Sequence, residues 1–144
     1  MVRIAIGLCL LVVIGCGPQP PRVAKVAGRV MLDGKPLPKA SVTFVPMATK
    51  ENQNPGKTAQ GITDQDGRYE LSVDVSTPGA VVGKCRIYIS TRLSDPAIDE
   101  RDAGGPIRSL PRDKVPQRYN TGTELTFDVP AGGTDKANFD LASN

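Results

Sequence analysis

The sequence predicts an all-β domain, an antiparallel β-sandwich of about seven strands. Short runs alternate apolar and polar residues, as strands do when one face lies in the core and the other in water. Gly, Pro and Asp interrupt these runs, and beyond the N-terminal segment no helical apolar period exceeds two turns. Many short strands separated by turn residues are typical of sandwiches.

Each of the seven predicted strands has one apolar face. In the fifth strand, Cys85, Ile87 and Ile89 point inward, whereas Arg86 and Tyr88 point to the outer surface. The predicted strands are Val23–Leu32, Ala40–Pro46, Thr58–Thr63, Arg68–Val73, Lys84–Thr91, Glu124–Val129 and Lys136–Leu141.

Turn residues separate these strands. Pro36 and Pro38 follow the first strand, where they cannot donate to a sheet ladder and predict a bend. Asp-Gln-Asp-Gly at 64–67 favours a tight hairpin turn between the third and fourth strands. The alternative, an EF-hand calcium loop, would place Ile62 and Val73 where its two essential carboxylates belong. We therefore predict a hairpin and no metal site. A further turn is predicted at 76–79.

The segment Arg92–Asn120, rich in Pro, Asp, Arg and Gly, is too long for a plain connection in a compact domain. We expect its part 95–111 to be mobile. Val115, Pro116 and Tyr119 can cover apolar surface, so we expect the later part to pack against the domain.

The chain begins with a secretory signal pattern, residues 1–15, in which Arg3 precedes the uncharged apolar stretch Ile4–Ile14. As a helix this stretch would cover roughly 16 Å, about half of a bilayer core, which is too short to span it. Val-Ile-Gly-Cys at 13–16 resembles the bacterial lipobox. The resemblance implies that Cys16 is lipidated and becomes the new N-terminus; an ordinary signal peptide with a chance cysteine is the alternative.

The lipobox sets the remaining domain boundaries. Residues 16–22 form a stiff Pro-rich tether, and 23–144 form the domain. Of the cysteines, Cys9 leaves with the signal and Cys16 is acylated, so only Cys85 remains and no internal disulfide is available. We interpret Cys85 as a buried apolar thiol rather than a reactive one.

Charge and composition narrow the function. After loss of the signal, 17 basic and 15 acidic residues remain, interspersed along the chain, and no basic stripe for nucleic acid exists. The chain has no histidine, which excludes Ser-His-Asp triads, Cys-His dyads and histidine-ligated metals. Asp99, Glu100 and Asp102 are interleaved with arginines and are interpreted as solvated charges. We expect no catalytic residue, no metal and no cofactor.

A sugar-binding surface would use exposed aromatic rings. Four of the six aromatic residues fall on apolar strand faces. Tyr88, beside Arg86, is therefore the candidate ligand contact, with Tyr119 as a further available ring.

The chain contains, in order, V-A-G-R-V-M-L-D-G-K-P-L-P-K-A-S-V-T-F-V-P, G-I-T-D-Q-D-G-R-Y-E-L, P-G before C-R-I-Y-I, V-P-Q-R-Y-N, L-T-F-D-V and F-D-L. This order, from about Val26 to Leu141, resembles the carboxypeptidase regulatory-like domains, small transthyretin-like β-sandwiches grouped with carbohydrate-binding-like folds. The resemblance implies an extracytoplasmic accessory or surface role and no common catalytic residues.

These observations lead us to expect a non-enzymatic, exported lipoprotein of the cell envelope, in the outer membrane or facing the periplasm. Its β-sandwich is expected to act as a structural or protein-interaction module, with an envelope protein or glycan as partner and no nucleic acid. A carbohydrate-binding module at the cell surface is the alternative.

Overall fold

The computed structural model describes residues 21–50, 53–92 and 112–144. The architecture is all-β and sandwich-like, as the sequence predicted, and no α-helix occurs within these three ranges. A 3₁₀ helix spans Gln117–Tyr119. The strands are β1 Val23–Ala24, β2 Ala27–Leu32, β3 Lys35–Pro36, β4 Ser41–Pro46, β5 Ala59–Ile62, β6 Arg68–Glu70, β7 Ser72–Asp74, β8 Thr77–Pro78, β9 Ala80–Val81, β10 Gly83–Ser90, β11 Thr126–Val129 and β12 Phe139–Leu141.

The strands form two main sheets and a short ribbon. The large sheet has the order β11-β10-β4-β5-β7-β8, with every neighbouring pair antiparallel. In the small sheet, β12 lies on one side of β2, and β3 and β6 lie on the other. The strands β1 and β9 form the separate antiparallel ribbon.

One pairing corrects the prediction of a purely antiparallel sandwich. The strand β12 runs parallel to β2, with Phe139 opposite Val30 and Leu141 opposite Leu32. The connection from β11 to β12 is long enough to cross from the large sheet to the small one before β12 begins. A parallel bridge between Val26 and Thr134 already sets this direction at the start of the crossing.

Several predicted strands are divided in the structure. The predicted strand Val23–Leu32 is interrupted at Lys25, and Arg68–Val73 is interrupted at Leu71. At Leu71 the chain passes from the small sheet to the large one: its N–H donates to the Val26 carbonyl at 2.9 Å. The two sheets are therefore joined through one continuous segment, β6–β7.

The predicted bend at Pro36 is instead a two-residue strand, β3. Pro36 lies opposite Met31. The neighbouring Leu37 N–H donates to the Val30 carbonyl at 3.0 Å, so Pro36 occupies a position between ladder bonds. Proline has no N–H to donate, but at this position the antiparallel ladder needs none, so no ladder hydrogen bond is lost.

The core between the sheets contains three phenylalanine rings in edge-to-face contact. Phe139 of the small sheet lies 6.1 Å from Phe44 and 6.1 Å from Phe127, both of the large sheet. Phe44 and Phe127 are 5.8 Å apart. Cys85, Ile87 and Ile89, which were predicted to face inward, are buried here, and the apolar residues of the other strands are buried or partly buried with them: Ala40, Val42, Phe44, Tyr69, Leu71, Val73, Leu125, Phe127, Val129, Phe139 and Leu141.

A glycine permits the closest approach inside the small sheet. Gly28 lies opposite Tyr69, and a Cβ at Gly28 would lie 1.9 Å from the Ala137 carbonyl oxygen. The Tyr69 hydroxyl donates to that same oxygen at 2.7 Å. Burial raises the pKa of Tyr69, so the hydroxyl remains a donor in the core.

The predicted hairpin turn at 64–67 is confirmed. Gly67 has φ +74°, and its N–H donates to the Asp64 carbonyl at 3.0 Å. The Asp64 carboxylate accepts from the N–H groups of Asp66 and Arg68, both at 2.9 Å. The Asp64 N–H in turn donates to the Arg68 carbonyl at 2.8 Å. The aspartate therefore caps the turn, as Asx side chains do.

We expect Phe139→Ala to reduce the free energy of unfolding by about 3–5 kcal/mol, because the change removes the ring that contacts both rings of the opposite sheet. Chemical denaturation followed by circular dichroism measures this loss. Val75→Ala, at a fully exposed position, is the control and should change stability by less than about 0.5 kcal/mol. Equal stability of the two variants would contradict the packing described.

Candidate functional site: the outer face of the large sheet

The side chains of the large sheet that point away from the core form one broad surface, here called the outer face. Its position follows from β10, where Cys85, Ile87 and Ile89 are fully buried and the alternate residues are exposed or half-buried. A register slip of one residue would put these apolar side chains in water. The outer face comprises Ser41, Thr43, Val45, Gln60, Ile62, Ser72, Lys84, Arg86, Tyr88, Ser90, Thr126 and Asp128.

A row of hydrogen-bonding side chains crosses the middle of the outer face. Tyr88 of β10 lies opposite Thr43 of β4, which lies opposite Gln60 of β5, which lies opposite Ser72 of β7. Neighbouring strands are about 4.8 Å apart, so the row is roughly 14 Å long. It combines one aromatic ring with hydroxyl and amide groups on an open sheet surface.

The next row contains Arg86. Its neighbours are Val45 on β4 and Thr126 on β11. Arg86 is exposed, and within 21–50, 53–92 and 112–144 no acceptor is hydrogen-bonded to its guanidinium. Lys84 and Asp128 lie opposite each other in the row beyond. Both predicted contact residues, Arg86 and Tyr88, therefore lie on the outer surface as expected, two positions apart on one strand.

The thiol beneath this surface is inert. Cys85 is fully buried, and burial, aided by the nearby charge of Asp128, raises its pKa to about 11. A thiol with a raised pKa carries little of the thiolate that reacts or binds metal. The prediction of a buried apolar thiol is confirmed.

Asp113 is a structural centre that the sequence analysis missed. Its carboxylate accepts hydrogen bonds from the Ser90 hydroxyl at 2.5 Å, from the N–H and hydroxyl of Thr91 at 3.0 and 2.8 Å, from the Val115 N–H at 3.0 Å and from the Asn120 amide at 3.1 Å. These donors come from the end of β10 and from residues 115–120. One carboxylate thus ties together both ends of the long connection.

The electrostatics of Asp113 follow from this set of donors. Burial raises the pKa of the carboxyl, but the hydrogen bonds from Ser90, Thr91 and Val115 outweigh it, and the net pKa lies below the ordinary 3.8. Nothing in the local sequence marks this residue, because its partners Ser90 and Thr91 lie more than twenty positions away.

The later part of the long segment packs against the domain, as predicted. Val115 is buried and Tyr119 lies against the core. Arg118 donates to the Ala142 and Asn144 carbonyls, and its guanidinium lies 4.9 Å from the centre of the Tyr119 ring. Tyr119 is thus engaged by the C-terminal residues rather than free for a ligand.

Some predictions fall on residues outside the described ranges. These are the lipidation site Cys16, the signal 1–15, the mobile part 95–111 and the acidic residues Asp99, Glu100 and Asp102.

The described residues contain neither a cluster of metal-ligating side chains nor a membrane-spanning helix. In the described part of the chain, no three or more Asp, Glu or Cys side chains come together in a group that could hold a metal ion. None of the helices that the structure describes has the length and apolar composition needed to cross a bilayer. Comparisons with protein-family models, with curated proteins and with solved structures find no match for this chain.

We expect Asp113→Asn to lower the free energy of unfolding by about 1–2 kcal/mol at neutral pH, because the charged acceptor of several hydrogen bonds is lost. The Asp113 pKa is lowered in the folded state, so its stabilisation is complete above the ordinary 3.8 and is lost as the pH falls from there through the folded-state pKa. Denaturation at several pH values measures this. The difference between wild type and variant should shrink in acid.

Asp140→Asn, at an exposed position on β12, is the matched control and should leave stability nearly unchanged. A difference between wild type and Asp113→Asn that is independent of pH down to strong acid would contradict the role of the ionised carboxylate.

Proposed function

We propose that this chain is a non-enzymatic, lipid-anchored β-sandwich of the cell envelope that binds an envelope protein through the outer face of the large sheet. The observation that carries the proposal is the pair Arg86 and Tyr88, adjacent on one face of β10, with the Arg86 guanidinium turned to solvent. Arginine and tyrosine are enriched among the residues that dominate protein–protein binding energy.

The anchor is proposed from the Val-Ile-Gly-Cys stretch that ends at Cys16. Several acyl chains hold a protein far more firmly than one, since each buried CH₂ contributes about 0.8 kcal/mol. The sandwich-like architecture agrees with the proposed membership of the carboxypeptidase regulatory-like, transthyretin-like domains. That membership would place the chain outside the cytoplasm in an accessory role.

The non-enzymatic part of the proposal is supported by the causes of the shifted pKa values. Hydrogen bonds from Ser143 and Ser76 lower the pKa values of Asp33 and Asp74, respectively. Each of these carboxylates caps a turn or a chain end, and Asp113 ties the long connection. The perturbed carboxyl groups described here thus stabilise the fold, rather than converging on a cleft as catalytic pairs do.

A carbohydrate-binding module is the second candidate, favoured by the row Tyr88, Thr43, Gln60 and Ser72. An aromatic face and a line of hydroxyl and amide groups are the two elements that contact a sugar ring and its hydroxyls. The same surface would serve either ligand.

Lipidation predicts that mass spectrometry of the membrane-extracted protein shows cleavage before Cys16 and the added mass of acyl chains. Cys16→Ser removes the sulfur to which the diacylglycerol is attached, so that variant should keep its signal and carry no acyl mass. Recovery of the wild-type protein uncleaved, unmodified and soluble would disprove the anchor.

The outer face predicts that Arg86→Glu reduces capture of the envelope partner from native membranes by at least about tenfold, since such residues contribute about 2 kcal/mol or more. Arg68→Glu is the matched control: it reverses the same charge at an exposed position on β6 of the small sheet and should leave capture unchanged. Equal losses would show that net charge, and not this face, governs binding.

Tyr88→Ala separates the two candidates. Reproducible binding to a glycan array that disappears in Tyr88→Ala would support the carbohydrate module in place of the protein-binding one.

A further inference from the structure

The described chain enters the sandwich at one end, here called the tether end. The Arg22 carbonyl accepts from the Val82 N–H at 2.9 Å, and Val23 lies opposite Val81. The long strand β10 begins beside them at Gly83, and β4 ends there at Pro46, opposite Cys85. The first described residues are therefore fixed beside the termini of the large-sheet strands.

Two of the three exposed large apolar side chains of the described residues lie at this end, and the third, Ile62, lies at the other end. Val75, in the turn between β7 and β8, is fully exposed, and Val23 is 39% exposed. Asp74, next to Val75 in the chain, lies close enough to Lys57 for the lysine charge to contribute to lowering the Asp74 pKa. A depression of about 340 Å³ beside the entering chain has a mostly apolar lining that includes Pro21, Pro46, Met47, Pro55 and Val82.

Basic side chains are exposed at the same end. Arg22, Lys57 and Lys84 are all exposed at the tether end. Two carboxylates lie nearby: Asp74 is hydrogen-bonded to Ser76, and Asp128 faces Lys84 across the strands. The net charge of these five groups is positive. The apolar side chains of Val23 and Val75 beside them are exposed and able to enter the headgroup region of a bilayer.

The length of the tether restricts how far this end can be from the membrane. Cys16 and Pro21 are five positions apart, so even a fully extended chain separates them by no more than about 18 Å. The strand β10, with its 8 residues, spans roughly 26 Å. The tether is shorter than the sandwich, and its attachment point lies at the tether end.

We infer that the tether end rests on a lipid surface containing anionic headgroups, with Val75 and Val23 among the headgroups and Arg22, Lys57 and Lys84 above them. This inference rests on the proposed acylation of Cys16. Small apolar insertions combined with basic residues are the usual means by which a folded domain binds such a surface. In this orientation the large-sheet strands stand away from the membrane, and the outer face stays accessible to a partner.

Tryptophan reporters test the orientation directly, because the chain contains no tryptophan. Val75→Trp and Ile62→Trp are prepared as acylated proteins in vesicles of phosphatidylcholine and phosphatidylglycerol with brominated acyl chains. Ile62 is a matched control: it is 63% exposed and lies opposite Ser41, at the other end of the strands. We expect the bromines to reduce emission from Trp at 75 by about twofold, as for a side chain 5–10 Å deep, and to leave emission from Trp at 62 unchanged.

A charge reversal gives the second measurement. In the Val75→Trp background, Lys84→Glu should lower the ratio of docked to undocked molecules about thirtyfold, because each charge near an anionic surface contributes about 1 kcal/mol and the reversal changes the charge by two units. Lys35→Glu, on β3 at the far end of the sandwich, should have no effect. In vesicles of phosphatidylcholine alone, which carry no net charge, quenching of the Val75→Trp emission should be lost, because the electrostatic attraction to the surface is absent.

The outcomes distinguish this inference from the proposed anchor. Acylated protein whose Val75→Trp emission is unquenched, or whose Ile62→Trp emission is quenched equally, overturns the orientation and leaves the anchor standing. Protein that carries no acyl mass at Cys16 overturns both.

Discussion

The contact of Phe139 with Phe44 and Phe127 is the interaction on which the rest of the structure depends. It joins the two sheets, with ring centres 6.1 Å apart in both pairs. Once these rings are buried, the alternation of side chains along β4, β10 and β11 fixes which face of the sheet every other residue occupies. The outer face, with Arg86 and Tyr88, is the direct complement of this buried set.

The two ends of the sandwich are built differently. At the far end, Asp113 joins Ser90, the last residue of β10, to Val115, and Arg118 is hydrogen-bonded to the C-terminal residues. At the tether end, Val23, Val75 and the basic residues Arg22, Lys57 and Lys84 are exposed. The far end is therefore held by hydrogen bonds within the chain, whereas the tether end exposes side chains to its surroundings.

The sequence predicted the strands best where side-chain periodicity alone decides the structure. Alternation placed Cys85 to Ile89 of β10 on their correct faces, and the chemistry of Asp and Gly identified the turn at 64–67. The failures involve partners distant in sequence. The parallel pairing of β12 with β2 depends on the path of the connecting segment, and the role of Asp113 depends on hydroxyls more than twenty positions away.

The candidate site was predictable to a similar degree. Period-two alternation was enough to place Arg86 and Tyr88 outside, but the row through Thr43, Gln60 and Ser72 required the strand order. That order puts β4 beside β5, which follows it in the chain, and also beside β10, which comes much later. Strand order is set by packing over the whole domain, which local pattern does not contain.

The pairing of β2 with β12 also determines when this chain can fold. It brings residues 30–32 beside residues 139–141, so the small sheet cannot close until the last strand is present. Contacts between such distant segments slow folding, because a large loop must be ordered before they form. A nascent chain of this kind therefore keeps its small sheet incomplete until residues 139–141 have been synthesised.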